Sequence, residues 1–238
     1  MTEEVSTRFG TPHRHYRRTD STNTRAREIA AAGAPHGTVV TADEQTAGRG
    51  RQGRTWTAPP GSALLYSAVL RPLEPRHSVL PLAVALAVCE TAEQLRPGIE
   101  CEVKWPNDIH LDGRKLAGIL IEARPQDGWA VLGIGLNLTI GADEFPEDLR
   151  GRATSLFPVE QADPAVDLGA ALDRWLDAPG SQVLTAWRRR DALLGRDVTW
   201  EQGSGVADGI DERGCLVVRL ADGDRVALGA GDVHLTSF

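Results

Sequence analysis

Residues 44–56 read EQTAGRGRQGRTW, and the seven from Gly48 to Arg54 hold three glycines and three arginines. Gly48, Gly50 and Gly53 remove side-chain obstruction and allow left-handed backbone. Arg49, Arg51 and Arg54 bring planar, permanently charged donors within a few residues of each other. Three like charges so close repel one another, and a polyanion bound among them relieves that repulsion. The stretch reads as a phosphate receptor that orders on binding. A solvated Arg/Gly linker would read the same way, and this stretch alone does not separate the two. A second clue lies in the other cations. Of the 26 basic residues only Lys104 and Lys115 are lysines, and both fall in one segment. A compact ammonium with freely directed donors does what a guanidinium fork cannot, so both are candidates for chemistry.

Two nucleotide-binding patterns fit the loop letters. Gly48, Gly50 and Gly53 satisfy G-x-G-x-x-G, and Gly48, Gly53, Arg54 and Thr55 satisfy the P-loop pattern with arginine in place of lysine. Both work only where a helix begins and turns its N-terminus to the phosphates. Here TWTAPPG follows, and two prolines and a glycine do not start a long helix. The context rejects both, leaving a free basic loop.

The chain has 238 residues and 41% hydrophobic content, enough for one large domain with a small companion. No run approaches ~18 apolar residues, so no membrane span is expected. The first 20 residues lack an apolar signal region. Three scattered cysteines, Cys89, Cys101 and Cys215, have no metal-type spacing and suggest reduced thiols and a cytoplasmic location. A net charge of −7 argues against a general nucleic-acid binder.

The elements that must position these groups follow from pattern. Asp20, Ser21, Thr22 and Asn23 precede TRAREIAAAG, a helix start with strong caps. Residues 37–43 and 63–70 read as strands, 78–95 as an Ala/Leu-rich helix, and 101–106 as a short strand. Asp112-Gly113 is a hairpin turn between IHL and RKLAGILIEAR, and a second turn at 125–128 leads into WAVLGIGLNLTI. Residues 142–163 are mostly loop. Helices are expected over 164–176 and 180–194, the second with a solvated Arg188-Arg189-Arg190 face. From about residue 195 short strands separated by Gly/Asp turns predict a small barrel of about five strands. The expected fold class is α+β: a mixed sheet with flanking helices in a domain over 1–194, and a small all-β domain over 195–238.

Four segments stand out: STN, the Gly/Arg loop, KWPNDIHLDGRKLAGILIE (104–122) and GIGLN (133–137). Glycines inside strands, here Gly118, Gly133 and Gly135, mark close approach of a ligand. Positive charge over a glycine-floored slot suits an acid being joined to a nucleotide. GRGRxGRxW, KWPND, RKLAGIL and GxGxN, in this order and spacing, resemble the biotin protein ligases. The resemblance spans residues 21–137, and the tail is similar to that family's small SH3-like C-terminal barrel. It implies a fold shared with class II aminoacyl-tRNA synthetases and lipoate ligases.

The resemblance further implies that biotin and ATP give biotinyl-5′-AMP and pyrophosphate, and that one lysine of a biotin carboxyl carrier domain then takes the biotin and releases AMP. Ser21, Thr22, Asn23 and Gln45 would hold the biotin ring system, with Arg49, Gly50, Arg51 and Gly118 lining the slot. Lys115 would bridge the biotin carboxyl group and the α-phosphate, and Arg51 would act with it in catalysis. Arg49, Arg51 and Arg54 would hold phosphates, with Trp56 near the adenylate and Asn137 at the nucleotide. Lys104 and Asn107 would also meet the nucleotide and, with Asp108, shape the site where the acceptor lysine arrives. Mg²⁺ is expected with ATP, its ligands unassigned. Only 20 residues precede Ser21, too few for the helix-turn-helix that some family members carry, so no DNA partner is expected, nor a membrane. Met1 is the sole methionine, so the chain is not the Met-flanked carrier itself. The rivals are a lipoate or octanoate ligase or transferase of the same fold, and a non-enzymatic biotin or nucleotide sensor.

Overall fold

The computed structural model describes residues 8–157, 163–229 and 233–235. Seven strands form one mixed sheet: β1 (His13–Thr19), β2 (Val39–Gln45), β3 (Ala63–Leu70), β4 (Glu102–Lys104), β5 (Asp108–Leu111), β6 (Arg114–Arg124) and β7 (Trp129–Asn137). Their order is β1-β2-β3-β7-β6-β5-β4. Only β1 and β2 run parallel; every other neighbour is antiparallel. The central strand β3 is buried along its whole length, as its unbroken apolar sequence requires of a strand covered on both faces. The β5–β6 turn follows its Asp-Gly signal: Asp112 has φ 50° and Gly113 φ 72°, the left-handed pair of a tight hairpin.

Helices cover both faces. α1 (Thr22–Ala31) lies on one, where Ala26 and Ala30 meet Val40, Val69, Trp129 and Val131. α2 (Leu80–Leu95), α3 (Pro164–Asp177) and α4 (Gly180–Arg188) cover the other. The expectation that no stretch is apolar enough to span a membrane needs correction. Pro75–Leu95 is long and apolar enough, and 72% of that window is buried inside the fold. It is apolar around its circumference because it is a core helix between the sheet and α3 and α4.

Two further differences have physical causes. β1 was not expected, because HRHYRRT shows no apolar alternation. It is a solvent-facing edge strand, and edge strands carry charge that discourages pairing with other chains. α4 ends at Arg188 rather than residue 194. There the backbone leaves the helix to pair with β4: Val103 N–H donates to the Arg190 carbonyl (2.7 Å) and Ala192 N–H to the Val103 carbonyl (3.1 Å). The triple arginine is solvated at Arg188 and Arg189, which are exposed, while Arg190 is half-buried. Arg188 donates to the Ile210 carbonyl and to Glu212, and Arg190 to Glu93 and the Cys101 carbonyl.

The tail forms a second sheet of β8 (Asp197–Trp200), β9 (Gly203–Ile210), β10 (Leu216–Arg219), β11 (Arg225–Leu228) and β12 (His234–Leu235). It is antiparallel throughout, in the order β11-β10-β9-β8-β12. Among the described residues no pairing joins β11 to β12, so it is a five-stranded sheet. It is fixed to the large sheet by Trp105, whose indole N–H donates to the Gly214 carbonyl (3.1 Å). Val198, Ala207, Leu216 and Val218 continue the main core.

Candidate active site

The Gly/Arg stretch is a short hairpin. Gly50 N–H donates to the Arg54 carbonyl (2.7 Å) and Trp56 N–H to the Gly48 carbonyl (3.0 Å). Gln52 (φ 53°) and Gly53 (φ 75°) make the tight reversal. Gly48 is required by contact: a Cβ there would lie 2.3 Å from the Trp56 carbonyl oxygen. The next regular element after the loop's single 3-10 turn is the strand β3, so the loop meets no helix N-terminus and neither nucleotide pattern applies.

Strand register builds the surface beneath it. Gly118 of β6 lies opposite Gly135 of β7, which lies opposite Leu65 of β3. One rung along, Leu120, Gly133 and Ser67 are aligned. Directly opposed residues share a face, so three glycines floor a slot on the α1 side of the sheet. Trp56 occupies part of that floor, and a Cβ on Gly135 would lie 2.4 Å from its ring. The Trp56 indole N–H is buried and donates to nothing among the described residues, an exception to the rule that buried donors find acceptors.

Around this floor stand the charged candidates. Lys115 Nζ is 2.7 Å from Asp108 Oδ1 and 5.8 Å from the centre of the Trp56 ring. The Lys115 backbone is itself clamped: its N–H donates to the Arg152 carbonyl (2.8 Å), and its carbonyl accepts from Thr154 N–H (2.9 Å). Arg51 donates to Asn107 Oδ1 (3.2 Å), while Asn107 Nδ2 donates to the Ile119 carbonyl (2.9 Å). Arg54 Nε donates back to the Arg51 carbonyl (3.4 Å). Lys104 pairs in register with Asp108 across β4 and β5. Both terminal nitrogens of Arg49 donate to the Glu122 carboxylate (3.1 and 3.3 Å). His110, electrostatically coupled to Asp108, Lys104 and Lys115, has its pKa pushed down to about 4, chiefly by burial. It is a neutral imidazole at neutral pH.

At the other end of the slot the STN helix start departs from its expected capping role. Ser21 stands at the N-cap position but makes no side-chain capping bond. Thr22 and Asn23 are turned to the sheet and buried. Thr22 N–H and hydroxyl donate to Gln45 Oε1 (2.7 and 3.0 Å). Ser67 Oγ lies 2.8 Å from Thr22 Oγ1 and 2.6 Å from Asn23 Oδ1. Asn23 Nδ2 donates to Glu122 (3.0 Å). Asn137 is buried and donates to the Thr154 carbonyl (2.9 Å), tying residues 152–156 across the sheet end. A depression of about 460 Å³ opens nearby, between Thr57–Pro59 and the segment from Ile140 to Arg150. Among the described residues no group of three His, Cys, Asp or Glu converges as a metal site.

The structure thus brings Ser21, Thr22, Asn23 and Gln45 to one end of the slot, and Lys115, Asp108, Asn107 and Arg51 to the other. Asn137 stands at the sheet end. Sequence reasoning missed Ser67 and Glu122. Ser67 is the one hydroxyl besides Tyr66 in the apolar run ALLYSAVL. Glu122 falls on the Gly118 and Leu120 face of β6 by simple alternation. Both signals were present.

Residues 15–138 match the model of the Biotin/lipoate A/B protein ligase family, and residues 193–235 that of the Biotin protein ligase C terminal domain. A biotin--[acetyl-CoA-carboxylase] ligase of Mycobacterium tuberculosis is 36% identical over 239 residues, covering 91% of this chain and 86% of that one. A bifunctional ligase/repressor BirA of Bacillus spizizenii is 42% identical over 141 residues, covering 57% of this chain, and the match spans under half of that relative's length, 43%. A solved biotin protein ligase from Aquifex aeolicus in complex with biotin and ATP superposes with a TM-score of 0.78 at 26% identity, covering 94% of this chain and 99% of that one.

Proposed function

The chain belongs to the biotin/lipoate A/B protein ligase family, and from that footing we propose that it is an ATP-dependent biotin protein ligase acting through Lys115 and the Gly/Arg loop. The observation that carries the reading is the Lys115–Asp108 pair, 2.7 Å apart at the edge of a floor made by Gly118, Gly133 and Gly135. Biotin binds with its ring system against Ser21, Thr22, Asn23 and Gln45, and its valeryl chain running toward Lys115. Its carboxylate oxygen attacks the α-phosphorus of ATP. The new C–O–P link forms and pyrophosphate leaves. Lys115, with Arg51, neutralises charge that grows on the phosphoryl oxygens at that moment, which is where such donors accelerate the reaction most. Arg54 contacts phosphate, and the nucleotide base occupies the depression beside Trp56 near Asn137. Mg²⁺ would accompany ATP and supply positive charge at its phosphates.

Lys115 is paired with Asp108. Turning to the substrate, Lys115 exposes Asp108, which with Lys104 and Asn107 receives the acceptor lysine of a biotin carboxyl carrier domain. The amine attacks the acyl carbon, the amide bond forms, and AMP leaves. A mixed anhydride also reacts with water, so the loop and Trp56 serve by excluding it. The curl of the small sheet into an SH3-like barrel and a cytoplasmic location belong to the same proposal. The match to the biotin ligase C-terminal domain and the biotin-carboxylase ligase relatives favour this reading over lipoate transfer. The test is incubation of a carrier domain with the chain, ATP and either biotin or lipoate, followed by intact mass. Addition of biotin alone is expected. A lipoyl adduct without a biotinyl one overturns the reading, and binding of biotin without pyrophosphate exchange would make the chain a sensor.

A further inference from the structure

Glu122 receives more donors than any role in a strand requires. Its carboxylate accepts two bonds from Arg49 (3.1 and 3.3 Å), one from Arg27 (3.2 Å) and one from Asn23 (3.0 Å). Asn23 packs directly on β7: a Cβ on Gly133 would lie 2.0 Å from its Oδ1, so the amide rests on bare backbone. Its Oδ1 faces Ser67, and Ser67 faces Thr22, which donates to Gln45. A continuous polar chain therefore runs Gln45–Thr22–Ser67–Asn23–Glu122–Arg49. Ser67, Thr22 and Asn23 are almost fully buried. One end lies where the biotin ring is placed above, the other on the Gly/Arg loop. The chain has a direction. Ser67 carries one proton and faces two acceptors, Thr22 Oγ1 and Asn23 Oδ1. A ligand N–H given to Thr22 Oγ1 competes there with the Ser67 hydroxyl and favours the Ser67–Asn23 bond, which holds the Asn23 amide as it donates its Nδ2–H to Glu122. Glu122 in turn holds Arg49 away from the like charges of Arg51 and Arg54.

We propose that Glu122 is a positioning residue that couples occupation of the biotin slot to the seating of the Gly/Arg loop. The proposal rests on the biotin ligase reading for the identity of the ligand, and not for the latch itself. Glu122→Gln preserves shape and the acceptor for Asn23 but removes the charge that neutralises Arg49. The test is amide exchange of residues 48–54 with and without biotin, with KM for biotin in pyrophosphate exchange, on the full chain carrying Glu122→Gln, Arg49→Met or both. Each single variant is expected to quicken loop exchange in the empty chain, to weaken the protection that biotin gives, and to raise KM about tenfold, more than kcat falls. The double variant should be no worse than the singles, as expected for two residues acting through one contact. Glu122→Asp should recover part of the protection. Multiplying effects in the double variant overturn the coupling, as does full protection of the loop by biotin in Glu122→Gln. If the wild-type chain does not bind biotin at all, the ligase reading fails. The Glu122–Arg49 contact is then tested on its own, by whether loop exchange in the ligand-free chain quickens in Glu122→Gln or stays unchanged, and without a bound ligand the coupling is overturned.

Discussion

Lys115 has two neighbours that matter, a carboxylate at 2.7 Å and an indole face at 5.8 Å. An ammonium on a flexible stem can leave the first for a substrate anion, whereas a guanidinium fork would hold a carboxylate through two bonds. Lys115→Ala is therefore expected to slow adenylate formation about 100- to 1,000-fold, as removal of a transition-state donor does elsewhere. Its melting temperature should stay close to the wild type, because the ammonium is partly exposed; unchanged turnover would remove Lys115 from the mechanism. His110 behaves differently, since its burial matters through protons. Its pKa is pushed from 6.5 to about 4 in the fold, so between those values the unfolded chain holds a proton that the folded chain lacks. Its contribution to stability is complete above about pH 6.5 and is lost as the pH falls towards 4. Thermal melts of His110→Asn from pH 7 to pH 4 should show a shallower acid decline than the wild type; parallel curves would contradict the assignment. Arg49 and Asn23 show what residue types cannot disclose. The loop charge and the STN letters were legible, but their partners Glu122, Ser67 and Gly133 lie 44 to 110 residues away in sequence, and only the fold brings them together.

At the scale of elements, the floor of the slot depends on three strands keeping one register. Gly133→Ala places a Cβ 2.0 Å from Asn23 Oδ1, and the rigid backbone of β7 leaves Asn23 to give way. The expected cost is about 1–3 kcal/mol by urea denaturation, together with loss of biotin affinity by calorimetry. Wild-type affinity in a folded Gly133→Ala chain would show that Asn23 takes no part in ring recognition. The pattern of the chain made these strands readable. β3 was expected over its observed span, and the Asp112-Gly113 turn fixed the β5–β6 hairpin. Less was readable where neighbours override local preference. HRHYRRT becomes a strand because β2 offers a free edge, and RRDALL leaves the helix because β4 offers another. Neither edge can be seen from local sequence.

For the whole molecule, the two sheets are joined by few polar contacts and one continuous core. Trp105 follows Lys104 in KWPND and donates across to Gly214, so the segment that shapes the acceptor site also holds the tail. Trp105→Phe keeps the ring but leaves the Gly214 carbonyl without this donor, at an expected cost of about 1–3 kcal/mol. Chemical denaturation followed by fluorescence and by circular dichroism should still give one coincident transition, since Val198, Leu216 and Val218 pack into the main core. Two separated transitions would mean that the sheets fold independently. The order of strands carries a consequence for biogenesis. β3 has its β7 partner at Ala63↔Asn137, so the middle of the sheet stays open until the intervening hairpins have been made. Pairings between such distant segments form slowly, and an apolar strand waiting for its neighbour is exposed to other chains. During synthesis, residues 63–70 are thus a stretch exposed to other chains, and the glycine floor is not complete until β7 has been made.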